Sequence, residues 1–253
     1  MRIVVTGGSG RLGTQVVRRI RELGHVAVPV SRRWGINLTT GQGLGTALAG
    51  ADAVVHCASN PWRPRGTDVE GTAQLLAAVA AQERPMHLVH VSIVGCDANP
   101  YTYYRAKAAA ERLVMASGLP ATIVRATQFH TLVAALARRA TIGRTDVGLD
   151  AATQPVDAGW VATELADHAL GRAPDGPVRA LDLAGPDVLS VSDALTAVRV
   201  HDGRPASHHL RVPAIGGTLQ AFARRTNLPG PQVRIGGCTF DSWLSRQPVP
   251  SGH

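Results

Sequence analysis

The sequence predicts an α/β fold: a doubly wound parallel sheet with a small lobe, formed by the C-terminal half, that covers the substrate. Three features of the chain carry this prediction. A β-branched run, Arg2-Ile3-Val4-Val5-Thr6, passes into a glycine turn from Gly7 to Gly13 and then into the amphipathic stretch Thr14 to Leu23. Near-continuous apolar segments then alternate with helical periods up to residue 126, which is the pattern of parallel strands covered on both faces. The chain has 253 residues, 45% of them hydrophobic, enough to bury a full core.

The opening unit reads strand, turn, helix. Glycines at 7, 10 and 13 permit a tight turn, close approach of a pyrophosphate to backbone N–H groups at the helix start, and close packing of helix on sheet. This is a dinucleotide-binding loop of Rossmann type, so Gly7, Gly8, Ser9, Gly10, Arg11, Leu12 and Gly13 are the expected cofactor-binding residues of this unit. A second strand is expected over His25 to Val30, a glycine-interrupted segment over Gly41 to Gly50, and a buried strand over Ala53 to Ala58. A helix from Gly66 to Gln82, a strand from His87 to Ile93, a helix from Tyr103 to Ala116 and a strand from Ala121 to Arg125 complete the alternation.

Beyond Thr127 the alternation fades. Phe129 to Arg139 and Ala158 to Leu170 read as helices, Arg144 to Thr153 as a polar loop, Arg172 to Pro177 as a turn, Arg179 to Leu183 as a strand, and Val191 to Val200 and Gly216 to Arg225 as helices. Residues 1–126 therefore read as the dinucleotide-binding core, and 127–253 as the last sheet elements and the substrate-covering lobe of one continuous domain.

In such a sheet, ligands sit at the carboxyl ends of the strands. Ser31-Arg32-Arg33 ends the second strand, about twenty residues past the glycine loop, where an acid would accept from a ribose 2′-hydroxyl. No acid stands from Pro29 to Arg33. Two guanidiniums and a hydroxyl suit a 2′-phosphate, which favours NADP(H) over NAD(H). Ala58 and Ser59 follow the strand Val54-Val55-His56-Cys57 and are expected to floor the ribose and pyrophosphate.

One lysine, Lys107, stands among 26 basic residues, four positions after Tyr103. That spacing puts both side chains on one helix face. An ammonium there can lower the pKa of the phenol and reach a ribose hydroxyl.

The formal net charge is +8. The arginines are spread along the chain with no basic helix or zinc-finger spacing, so no nucleic acid is expected. No segment reads as a signal peptide or membrane span, and a cytoplasmic protein with a small-molecule partner is expected, as monomer or homodimer. The three cysteines, Cys57, Cys96 and Cys238, and the ten histidines lack metal-ligand spacing, and no metal is expected.

With these residues in hand, the chain resembles the short-chain dehydrogenase/reductase superfamily, specifically its atypical NmrA-like, NAD(P)H-binding branch. The likeness lies in Thr6-Gly7-Gly8-Ser9-Gly10-Arg11-Leu12-Gly13, Val54 to Ser59, Gly71-Thr72, Val91-Ser92-Ile93-Val94-Gly95, Tyr103 to Lys107 and Arg125 to Phe129, and in later pieces at Gln154 to Asp157, Ala184 to Pro186 and Phe240 to Leu244. The resemblance implies a catalytic trio: Ser92 to hydrogen-bond the substrate carbonyl, Tyr103 to deliver its proton, and Lys107 to bind the nicotinamide ribose and acidify the phenol. An adjacent O–H must neutralise the alkoxide that forms when hydride reaches a carbonyl.

The chain departs from the family pattern at three points. Asp68 stands near the place of a relay asparagine. Asn37 and Leu38 stand where an aspartate often binds the adenine amine, and Asn retains a carbonyl acceptor for it. Only eleven positions separate Ser92 from Tyr103. Trp62 and Phe129 are the candidate substrate contacts, while Trp34, Trp160 and Trp243 are assigned to packing. The expected function is an NADP-dependent oxidoreductase that reduces a carbonyl or quinone-like group of a small molecule. A redox sensor without turnover and a non-redox epimerase, dehydratase or cyclase are the alternatives on the same scaffold.

Overall fold

A computed structural model describes residues 1–142, 145–205 and 207–249. Strand β1 (Arg2–Thr6) leads through the glycine turn into α1 (Arg11–Glu22), then come β2 (Val26–Val30), the short α2 (Leu44–Leu48) and β3 (Ala53–His56). Next are α3 (Gly71–Ala80), β4 (His87–Ile93), α4 (Thr102–Ala116), β5 (Ala121–Ala126) and α5 (His130–Arg139). The C-terminal part adds β6 (Thr141–Ile142), β7 (Thr145–Leu149), β8 (Ala152–Thr153), α6 (Ala158–Leu170), β9 (Pro177–Arg179), β10 (Asp182–Ala184) and β11 (Leu189–Ser190). It ends with α7 (Val191–His201), β12 (His208–Val212), α8 (Gly217–Ala223), β13 (Val233–Ile235) and α9 (Phe240–Leu244).

The central sheet runs β13-β10-β5-β4-β3-β1-β2, with β9 also on β5, and all of its pairs are parallel. Chain order reverses at β1, between β2 and β3, so the crevice of a doubly wound sheet opens above Thr6 and His56. Side chains alternate across the strands. Ile3, Val5, Val55, Val89 and Val91 pack against α1 and α6, whereas Val4, Val54, Leu88 and Ile123 pack against α2, α3 and α4. A helix layer on each face is what the unbroken apolar strands required. Among the described residues no helix is long and apolar enough to cross a membrane.

Residues after 127 build both sheet and lobe. Helices α5, α7 and α9 share a third core around Val133, Leu195, Val198, Phe240 and Leu244. Gly95 binds this part to the end of β4. Its φ is +78° and a Cβ there would strike the Thr226 carbonyl, so the segment Thr226-Asn227 crosses directly over the strand end.

Four expectations change. The helix expected from Gly66 begins at Gly71, after a widened π-type turn over Arg65–Glu70 that buries Asp68. The polar loop expected over Arg144 to Thr153 contains β7, which pairs in parallel with β12, and β8; Arg144 itself lies outside the described residues. The strand expected at Arg179 to Leu183 is two strands, β9 and β10, broken at Ala180-Leu181. Trp34 is half exposed in a short helical turn rather than packed, whereas Trp160 and Trp243 do pack against core clusters.

Candidate active site

A cavity of about 600 Å³ opens above the carboxyl ends of β1, β2 and β3. Gly7, Ser9 and Gly10 form one wall, Ser31, Arg32, Arg33, Asn37 and Leu38 another, and Ala58 and Ser59 the floor. Gly7 has φ +66° and lies so close to Ala58 that a Cβ would come within 2.7 Å of its backbone. Helix α1 starts at Gly10 with no side-chain cap, leaving its first N–H groups to an anion. Gly8, Leu12 and Gly13 shape the loop from behind: Gly8 backs onto Pro29, Gly13 abuts the Gly7 carbonyl, and Leu12 packs into the core. Arg11 is exposed at the helix start.

The chemistry at the end of β2 suits a phosphate. Among the described residues, the buried Ser31 hydroxyl has no partner, and neither Arg32 nor Arg33, both exposed, pairs with an acid. Asn37 Oδ1 accepts from the Thr39 N–H at 3.1 Å, which closes a turn and leaves one lone pair for a ligand. Leu38 packs against the core beside Gly71. An extended, phosphate-bearing dinucleotide fits these groups.

Helix α4 brings Tyr103 to the far end of the cavity floor. Its hydroxyl lies 2.8 Å from Ser59 Oγ, and Ser59 donates to Asp68 Oδ1 at 2.6 Å. Asp68 Oδ1 is in turn 3.2 Å from Lys107 Nζ, with both side chains buried. Lys107 also donates to the Val91 carbonyl at 2.9 Å, which leaves one of its three N–H groups. Burial alone would lower the pKa of this ammonium, but Tyr103 and Asp68 beside it hold it above the ordinary lysine value. The result is a connected line, Tyr103–Ser59–Asp68–Lys107.

This geometry changes the expected trio at Ser92. Its side chain is 2% exposed, and its hydroxyl faces Cys96 Sγ at 3.8 Å beneath α4, beside the buried cluster in which Arg125 binds Glu111 at 2.7 Å. Ser92 lies under the helix one turn beyond Lys107, so strand pleating turns it into the core instead of the cleft. Ser59 supplies the hydroxyl nearest the phenol. Sequence reasoning gave Ser59 a floor role only, and the short Ser59-to-Asp68 spacing was the available signal for the rest.

Trp62 is 84% exposed in the loop after β3. Phe129 caps α5 and packs against the first core. A further cluster, His130, Asp157 and Cys238, brings its ligand-type atoms within 4.8 Å of one another. Its contacts are those of a helix cap: Asp157 Oδ1 accepts from the first N–H groups of α6, Asp157 Oδ2 accepts from Cys238, and Arg246 donates to the sulfur.

The family profile for NAD(P)H binding matches residues 7–150, more than half of the chain. A reductase from Streptomyces griseus, acting on (4-alkanoyl-5-oxo-2,5-dihydrofuran-3-yl)methyl phosphate by its name, is 28% identical over 247 residues, 90% of this chain and 82% of its own. Relatives from Mycobacterium tuberculosis and Mycobacterium bovis are 34% identical over 91 residues, and that match spans 11% of their length. Among solved structures, the NADPH-dependent quinone oxidoreductase of Escherichia coli aligns with TM-score 0.78 at 14% identity, covering 96% of this chain and 98% of that one. A nucleoside-diphosphate-sugar epimerase from Staphylococcus aureus aligns with TM-score 0.77 at 17% identity, covering 97% and 100%. These structures share the fold. By the match over its glycine loop, cavity walls and Tyr103 helix, the chain belongs to the NAD(P)H-binding family.

Proposed function

We propose that the protein is a cytoplasmic, NADPH-dependent reductase of a carbonyl or quinone-like group on a small molecule, with Tyr103 as the proton donor. The observation that carries this reading is the hydrogen bond between Tyr103 and Ser59 at the end of the cofactor cavity. The Streptomyces griseus reductase, related along nearly the whole chain, supports reduction over the epimerase and sensor readings.

Gly7, Ser9, Gly10, Ser31, Arg32 and Arg33 would hold the nicotinamide cofactor, and the chemistry it would supply there is a hydride for the carbonyl carbon. Tyr103 then gives its proton to the developing alkoxide oxygen. The phenolate left behind gains from the Lys107 ammonium, and the Ser59 O–H can turn from Asp68 to donate to it. An anion whose charge rises during the step thus meets groups already oriented for it, which is where electrostatic catalysis is strongest. At the other end of the cavity, Ser31, Arg32 and Arg33 would hold the 2′-phosphate with charge-assisted hydrogen bonds.

The test is NADPH oxidation with a panel of ketones, aldehydes and quinones, run for wild type and Tyr103→Phe. Turnover should fall by roughly 10²–10⁴-fold in the variant, with cofactor affinity unchanged. Turnover equal in both would move the proton donor away from Tyr103, and NADPH binding without oxidation of any substrate would favour the sensor.

A further inference from the structure

A second cavity, of about 240 Å³, lies in the lobe between α5, β7, β8, α7 and α8. Its walls are aliphatic and aromatic: Leu136, Leu149, Val191, Leu195 and Phe222. One end alone is polar, and it faces the Tyr103 side of the molecule. There Gln128 donates to the Tyr104 hydroxyl at 3.1 Å, and the Tyr104 ring stands 6.4 Å from that of Tyr103. Gln128 Oε1 accepts from Thr153 at 3.0 Å and from Asn227 Nδ2 at 3.3 Å.

Asn227 is 3% exposed and lines the cavity. Its amide nitrogen donates to Gln128 Oε1 and to the Ala152 carbonyl at 2.9 Å. Both partners are acceptors, so the amide is fixed with its nitrogen toward them. Asn227 Oδ1 is consequently left buried without a partner among the described residues. A buried acceptor is costly to leave unmet, whereas an apolar cavity gains from being filled by apolar atoms. Both conditions are met by one kind of occupant.

We propose that this cavity is the subsite for an aliphatic chain of the substrate, and that a hydroxyl or amide N–H on the chain donates to Asn227 Oδ1. The inference rests on the reductase reading, with the reacting carbonyl at Tyr103 and the chain running past Tyr104 into the lobe. It defines the substrate class as a carbonyl compound bearing an unbranched or lightly branched alkyl tail with one polar donor.

Two measurements on the full chain keep this inference apart from the reading beneath it. Binding of primary alkanols from butanol to decanol is followed by calorimetry with no turnover involved. Affinity should rise about fourfold per methylene and then level off as the cavity fills. In Val191→Phe the plateau should come at a shorter chain, with butanol affinity unchanged. Leu136→Asp puts a charge at a half-exposed position on the same wall and should weaken decanol at least tenfold, so the location stays testable if the Phe variant does not fold. Alkyl methyl ethers, which lack the donor, should bind several-fold more weakly than alkanols of equal length. Affinity independent of chain length, or the same length dependence in both variants, would overturn the subsite. In parallel, kcat/KM for NADPH-driven reduction of 2-alkanones should rise with chain length in wild type. Graded alkanol binding with no reduction of any 2-alkanone, while the aldehydes or quinones of the panel are reduced, would overturn the substrate role and leave the reductase reading standing; silence across the whole panel would remove that reading too, leaving only an aliphatic site.

Discussion

Lys107 does more structural work than its sequence position suggests. As one end of a buried ion pair with Asp68 and a donor to the Val91 carbonyl, it ties α4 both to β4 and to the turn before α3. Lys107→Ala leaves a buried carboxylate with no counter-charge, a loss of about 3–5 kcal/mol. Urea unfolding should register that loss, and the double variant Lys107→Met with Asp68→Leu should recover much of it, because a buried pair replaced together costs little. If the single variant were as stable as wild type, the pair would not hold the helix. Arg33 is the opposite case, exposed and without an acid partner among the described residues, so its replacement tests ligand chemistry rather than folding. Arg33→Asp should leave stability unchanged and shift the ratio of NADPH to NADH affinity toward NADH by at least tenfold. Equal relative affinities in a binding titration would remove the 2′-phosphate assignment.

At the scale of elements, neighbouring strands β3 and β4 set His56 beside His90, their ring centroids 5.1 Å apart. Thr72 gives its hydroxyl proton to the Asp68 carbonyl, so it accepts from His56 Nε2–H at 3.0 Å, and His56 Nδ1 takes the Thr6 hydroxyl proton at 2.6 Å. The imidazole is satisfied only when neutral. Burial, with Lys107 adding to it, lowers its pKa to about 3. Among the described residues His90 has no hydrogen-bond partner at either nitrogen, and burial, with His56 and Lys107 adding to it, holds it well below the usual value. Both histidines bind protons in the unfolded chain near its pKa of ~6.5 but not in the folded one at that pH, so their stability contribution is complete above that pH and is lost as pH falls, for His56 toward 3. His90→Leu removes one of these proton uptakes and two unmet nitrogens. Its stability relative to wild type should therefore be greater at pH 5 than at pH 8 in denaturant titrations, and a pH-independent difference would rule out the neutral buried ring.

Strands β1 to β5 were legible because their apolar runs are continuous and their helices periodic; His87–Ile93 and Ala158–Leu170 fall where the periods end. Strand β7 was not. Thr145-Asp146-Val147-Gly148-Leu149 carries turn residues, and it is held by distant partners: the ladder to β12 and Arg199, which donates to Asp146 across 53 positions. Local propensity has no access to such pairing. The glycine loop, Ser31 to Arg33 and Tyr103 were legible for the converse reason, since strand-end chemistry follows directly from order along the chain. Whether Ser92 faced cleft or core depended on pleat and on the depth of α4, and the line from Ser59 to Asp68 depended on the widened turn at Arg65–Glu70.

For the whole molecule, the boundary near residue 127 separates sequence patterns but not cores. Val161, Leu165 and Ala169 of α6 lie in the same cluster as Ile3, Val16 and Ile20, and β10 and β13 extend the sheet formed by the first half. The chain therefore crosses from the lobe back to the sheet edge and out again, with β13 followed by α9, whose Phe240 and Leu244 close the lobe core. Neither half can lose its packing without exposing apolar surface of the other, which is the condition for all-or-none unfolding. Thermal unfolding should show one transition, coincident by far-UV and near-UV circular dichroism. Leu244→Ala removes a side chain that is 3% exposed at the far end of the lobe, at a cost of about 2–5 kcal/mol, and in a single cooperative unit that cost lowers the midpoint of the whole transition. A separate low-temperature transition, with the remainder melting at the wild-type midpoint, would mean that α5, α7 and α9 fold as a unit apart from the sheet. The aliphatic cavity that α5 and α7 help to wall would then open and close independently of the Tyr103 site.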